Sequence, residues 1–102
     1  MRIVELDASR WDKPDDFYDA LLPELGAPKW HGHNPNALND SVIWGGINAV
    51  NPPLLIRVCG LRGAPEAVAN EVRWAKRGID EGRKDFRAQN GRDIDVELHI
   101  LS

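Results

Sequence analysis

The chain has 102 residues, 42% of them hydrophobic and 28% charged, with a formal net charge of −3. That length suits one domain (1–102) with one core, and the composition excludes global disorder. The acidic balance argues against nucleic acid as the direct ligand, because phosphate binding needs a basic face.

No apolar run approaches membrane-spanning length, and Met1-Arg2-Ile3-Val4-Glu5 lacks a signal-peptide core. A cytoplasmic protein is expected. The lone cysteine, Cys59, excludes an internal disulfide. It lies in an apolar run and reads as a buried, inert thiol. Residues 1–60 carry five Lys/Arg and eight Asp/Glu, whereas residues 61–102 carry eight of each. The acidic excess in the first half reads as solvated surface, or as mild attraction to a basic partner.

In chain order, Arg2-Ile3-Val4-Glu5-Leu6 reads as a buried strand. Pro14 with Asp15 and Asp16 opens a helix, since carboxylates suit the positive end of the helix dipole. Phe17, Ala20, Leu21 and Leu25 share its inner face, and Pro23 should bend or end it. Asn34-Pro35 starts a short helix running to about Trp44, which Gly45-Gly46 stops. Leu54 to Cys59 is a second strand and the candidate for the sheet centre. From Pro65 a long helical pattern buries Val68, Val72, Ala75, Ile79 and Phe86, with Gly78 and Gly82 as points of kinking or division. Asp95 to Leu101 alternates into a last strand. Strands separated by crossover helices imply an α/β fold, a three-stranded parallel sheet packed with three to four helices.

The stretch Trp30-His31-Gly32-His33-Asn34-Pro35-Asn36-Ala37-Leu38-Asn39-Asp40-Ser41 holds the candidate chemistry. Leu38 and Val42 share an inward face. Asn36, Asp40 and Ile43, with Asn39 beside them, lie on another face and are free for a partner. Trp30 and Trp44 bracket the short helix and read equally as core rings or as interface anchors, for which Trp is a favoured residue. Trp11 reads as core, and Trp74 lies one residue off the apolar stripe of the long helix.

His31, His33 and Asp40 offer an alternative, a small metal-dependent or general-base enzyme. Zinc sites draw three or four ligands, and no fourth is sensibly spaced here. No nucleophile elbow or phosphate loop is present, so nothing specific supports an enzyme and no cofactor is expected. A further alternative is a self-associating module built on Trp30 and Trp44.

Three passages together resemble the barstar family, small intracellular inhibitors of a secreted ribonuclease of the barnase type. They are the Trp30–Asp40 run, the passage from Gly45-Gly46 through Pro52-Pro53 into Leu54-Leu55-Ile56, and the ending from Phe86-Arg87 through Asp95 to Ile100-Leu101-Ser102. The resemblance implies a three-stranded parallel sheet with helices. It also implies a non-catalytic protein, monomeric when free, that plugs a basic ribonuclease or nuclease toxin with the loop and short helix of residues 30–46. In that reading Asp40 imitates RNA phosphate, Trp30 packs against the enzyme's catalytic region, and Asn34 caps the helix and touches the partner. His31, His33, Asn36, Asn39, Ile43 and Trp44 complete the expected contact set. Three positions depart from the family pattern: Asn36 is neutral where the family can carry an acid, His33 stands where an acid can stand, and the long-helix position that can supply a further carboxylate aligns with Ala88 or falls in a gap.

Overall fold

The computed structural model describes residues 1–101. Ser102, the last residue of the ending quoted above, lies outside them. Three strands, β1 (Arg2–Asp7), β2 (Leu54–Cys59) and β3 (Val96–Ile100), form one parallel sheet in the order β1-β2-β3. Helix α1 (Pro14–Glu24) and the short α2 (Pro35–Asn39) lie between β1 and β2, and α2 runs on into a widened π-type turn, Asp40–Trp44. Helix α3 (Glu66–Asn90) joins β2 to β3. The architecture is the α/β layering that the alternating periodicities imply, with β2 central.

The core lies between one face of the sheet and the helices. Val4 and Leu6 of β1, Leu54, Ile56 and Val58 of β2, and Val96 and Leu98 of β3 are buried. With them are Phe17, Leu21 and Leu25 around α1, and Val68, Val72, Ala75, Ile79 and Phe86 of α3. Side chains alternate across a strand, so the other face carries Ile3, Glu5, Arg57, Cys59 and His99. Parallel sheets usually have both faces covered. Here the second face stays open, which corrects two expectations. Strand β1 is buried on one side only, and Cys59 is exposed rather than inert in the core.

Proline at position 23 does not end α1 early. It sits in the last turn, and the helix closes one residue later. Gly26 then takes φ +65°, and a Cβ there would sit 2.6 Å from that of Ala49, so only glycine suits the exit.

Helix α3 is unbroken despite its two internal glycines. They mark the crossing of α2. A Cβ on Gly82 would collide with the Asn39 side chain, whereas one on Gly78 would meet only the Pro35 carbonyl at 3.9 Å. Replacing a helical Gly by Ala gains about 1 kcal/mol in propensity, and overpacking costs about 1–3 kcal/mol. Gly78→Ala should therefore raise the urea midpoint, and Gly82→Ala should lower it. Opposite signs from the same substitution one turn apart test this packing.

Arg83 ties α3 to the start of β3. Its guanidinium lies 2.8 Å from Asp93 Oδ2 and donates to the Val96 carbonyl at 3.3 Å. The Arg83 hydrogen bonds, with help from the Ile94 N–H and Arg87, hold the Asp93 carboxyl down to about 2. A carboxyl lowered in the folded state adds stability above its unfolded value of 3.8 and loses it as pH falls toward about 2. Asp93→Asn should therefore flatten the fall of Tm with acid across that window. An unchanged slope would show that the bridge contributes nothing.

Candidate partner-binding surface

The surface is built on α2, and local chemistry fixes where α2 begins. Asn34 is extended, with φ −156° and ψ 161°, and its Oδ1 accepts the Ala37 N–H at 2.8 Å. Pro35 follows at the first helical position, where its missing donor costs nothing. Leu38 and Val42 then anchor the segment in the core. Asn36 and Asp40, four residues apart, face solvent.

Past Asn39 the helix widens, and this changes the faces. Bonding from i to i+5 advances each residue through a smaller angle than an α-helix does. Ile43 is thereby turned off the Asn36–Asp40 face and is buried at 1% exposure. The expectation that Ile43 meets a partner is corrected: α-helical spacing put it on the wrong side. Asn39 is corrected too, because its side chain lies over Gly82 of α3 rather than outward. Among the described residues its buried Oδ1 has no hydrogen-bond partner.

His31 is a third correction. Only 5% exposed, its ring serves the fold. Nδ1 donates to the Gly32 carbonyl at 2.8 Å, which leaves Nε2 facing Ser41 Oγ at 2.8 Å. Ser41 Oγ accepts from Asn48 Nδ2 at 3.0 Å, and its one proton is shared between two acceptors, His31 Nε2 and the Leu38 carbonyl at 3.1 Å. This buried network pins the loop before α2 to the turn after it. His33 leans the other way. Its ring stacks on Tyr18, with centroids 5.6 Å apart, and Nδ1 lies 3.4 Å from Asp15 of α1. Burial pushes the Tyr18 phenol well above its usual range, and the hydrogen bond it donates to Glu71 pushes it further.

Apolar side chains surround the outward face. Trp30 is 74% exposed and Trp44 is 44% exposed, the latter resting against Phe86 with centroids 5.4 Å apart. A cleft of about 180 Å³ is lined by Trp30, His31, Gly32, Ala37, Asp40 and Ile47. Ile47 also contributes to the cleft, although it lies outside the 30–46 stretch that the sequence singles out. The signal for it was the Gly45-Gly46 pair, whose φ values of +77° and +82° turn the chain at that point.

Asp40 is the charged member of this surface. Between Lys29 and Arg57 it is the single Lys, Arg, Asp or Glu. Among the described residues its carboxylate has no ion-pair or hydrogen-bond partner. An exposed acid with no cation of its own, beside bare indole and aliphatic surface, suits a cation supplied from outside. The histidines are not gathered around it: among the described residues no three His, Cys, Asp or Glu are grouped to hold a metal ion.

Residues 1–99 match the family described as Barstar (barnase inhibitor). The chain belongs to the Barstar family. Membership agrees with the three-stranded parallel sheet and its flanking helices. Proteins of the Barstar family are inhibitors rather than enzymes, and their partner is a ribonuclease. None of the curated proteins matches the chain. Among the described residues no helix is long and apolar enough to cross a membrane.

Proposed function

We propose that this Barstar-family chain inhibits a basic ribonuclease of the barnase type by covering its catalytic cleft with residues 30–47. Asp40 takes the position of an RNA phosphate against the enzyme's cations. Trp30, Ile47 and Trp44 exclude water around it, while Asn34 and Asn36 supply polar contacts at the edge. The observation that carries this reading is the exposed Asp40 carboxylate, unpartnered among the described residues and set among exposed apolar side chains.

The energetics favour such an arrangement. A charge buried in an interface is costly unless it is paired and hydrogen-bonded, so a lone acid selects a partner with a preformed cationic site. A ribonuclease offers one, because it must bind phosphate. The net charge of −3 adds attraction toward a basic enzyme and should speed association at low salt. With Asn36 neutral and alanine at position 88, one carboxylate carries what several acids would otherwise share.

The purified protein should be titrated against barnase and a panel of secreted ribonucleases of the same type, with RNA cleavage as the readout. Stoichiometric one-to-one inhibition of at least one enzyme is expected. Full cleavage by every member at a large excess of this protein would overturn the proposal.

A further inference from the structure

A second cleft, of about 350 Å³, opens beside the Asn36 end of α2. Pro35 and Asn36 form one wall, and Trp74, Arg77, Gly78 and Glu81 of α3 form the other. Trp74 is 60% exposed, although it sits on a helix whose opposite side is core. The charges beside it differ in their pairing. Arg73 donates to Asn70 at 2.7 Å, and Lys76 is bridged to Asp80 at 3.2 Å. Arg77 and Glu81, which line the cleft, have no side-chain partner among the described residues.

We propose that this cleft is a second contact region for the same ribonuclease. It would take a surface segment that presents an apolar side chain to Trp74, a carboxylate to Arg77 and a cationic side chain to Glu81. The inference rests on the inhibitor reading given above.

Two observations favour this occupant. The first is continuity: Asn36 belongs both to the outward face of α2 with Asp40 and to the wall of this cleft. A partner seated on Asp40 therefore has the cleft at its border. The second is the charge pattern. Arg77 and Glu81 stand one helical turn apart with opposite signs, so a partner of reversed pattern is attracted and one of matching pattern is repelled. Trp74 supplies the anchor that such a contact needs, since Trp is among the residues most enriched where binding energy concentrates. Nucleic acid fits less well, because Glu81 would face phosphate. Gly78 lies in the floor between the two walls, with no side chain of its own.

The division of labour follows from chemistry. Asp40 recognises what any phosphate-binding site must possess. Trp74, Arg77 and Glu81 read surface outside that site, which differs between enzymes of one activity. The cleft would thus decide which ribonuclease is bound.

The test uses the enzyme most strongly inhibited in the titration above. Trp74→Ala and the double reversal Arg77→Glu with Glu81→Lys are compared with Asp40→Ala in Kd and association rate. All these side chains are exposed, so an unchanged Tm serves as the folding control. Trp74→Ala should weaken binding about tenfold, the loss expected of an interface Trp worth more than ~1 kcal/mol. The double reversal should also bind at least about tenfold more weakly and associate more slowly. If both bind within about twofold of the parent while Asp40→Ala fails, the cleft is not a contact region and the inhibitor reading stands. If Asp40→Ala binds like the parent while Trp74→Ala fails, the cleft stands and Asp40 loses its assigned role. If the parent inhibits no ribonuclease, both fall.

Discussion

Asp40→Ala should cost about 3–5 kcal/mol of binding to the inhibited ribonuclease, the usual loss when one member of a buried, paired charge is removed. That is a fall in affinity of roughly a hundredfold to several thousandfold. Most of it comes from the enzyme's side, whose cations would be left desolvated without a counter-charge. Stability should hardly move. The carboxylate is exposed and, among the described residues, makes no hydrogen bond or ion pair, and such substitutions usually stay within about 0.5 kcal/mol. Asp40→Asn separates charge from shape. The amide keeps the size and one oxygen acceptor but cannot neutralise a cation. If charge carries the binding, Asn is nearly as damaging as Ala. If Asn retains most of the affinity, Asp40 is a hydrogen-bond acceptor and phosphate imitation is the wrong description. Calorimetry at two salt concentrations checks both substitutions, because loss of a charged contact also reduces the salt dependence of association.

Much of this organisation was legible in the residues. The apolar run Leu54–Cys59 marked β2, the alternation from Asp95 to Leu101 marked β3 to within a residue at each end, and the apolar stripe from Val68 to Phe86 marked the inward face of α3. Asn34-Pro35 marked the start of α2 because both residues have a local mechanism there, a side-chain cap and a fixed φ. The failures share a different origin, since each depends on something no local pattern encodes. Ile43 was misplaced because a π-type turn has the same composition as an α-turn and differs only in its bonding. His31 reads as a free polar ring until Ser41 and Asn48 are brought beside it from further along the chain. Gly78 and Gly82 look like weak points in a helix when α2 is not seen crossing them. Cys59 reads as core because five apolar or β-forming neighbours surround it, yet the open face of the sheet is set by which helices are missing. Asp40 was legible as an acid in an otherwise uncharged stretch, but its lack of an internal partner was not.

Leu38→Ala should be the most damaging single change to the fold at this surface. Leu38 is fully buried under α2, and truncating such a leucine costs about 2–5 kcal/mol in lost transfer energy and residual cavity. In a domain of this size each ~1 kcal/mol lowers Tm by about 4–8 °C, so the loss is easily read by thermal unfolding. The effect extends beyond stability. Helix α2 has five residues, far too few to persist without tertiary support. Its order depends on Leu38 and Val42 below, the Asn34 cap in front and the His31–Ser41 network behind. Loosening Leu38 frees Asp40 to sample positions from which it cannot meet the enzyme's cations, so binding should weaken although residue 38 touches no partner. The double substitution distinguishes this from simple unfolding. At a temperature where Leu38→Ala is still folded, its binding loss should not add to that of Asp40→Ala, because both remove the same contact. Fully additive losses would mean that Leu38 affects binding by another route, and that the support of α2 is not what holds the carboxylate in place.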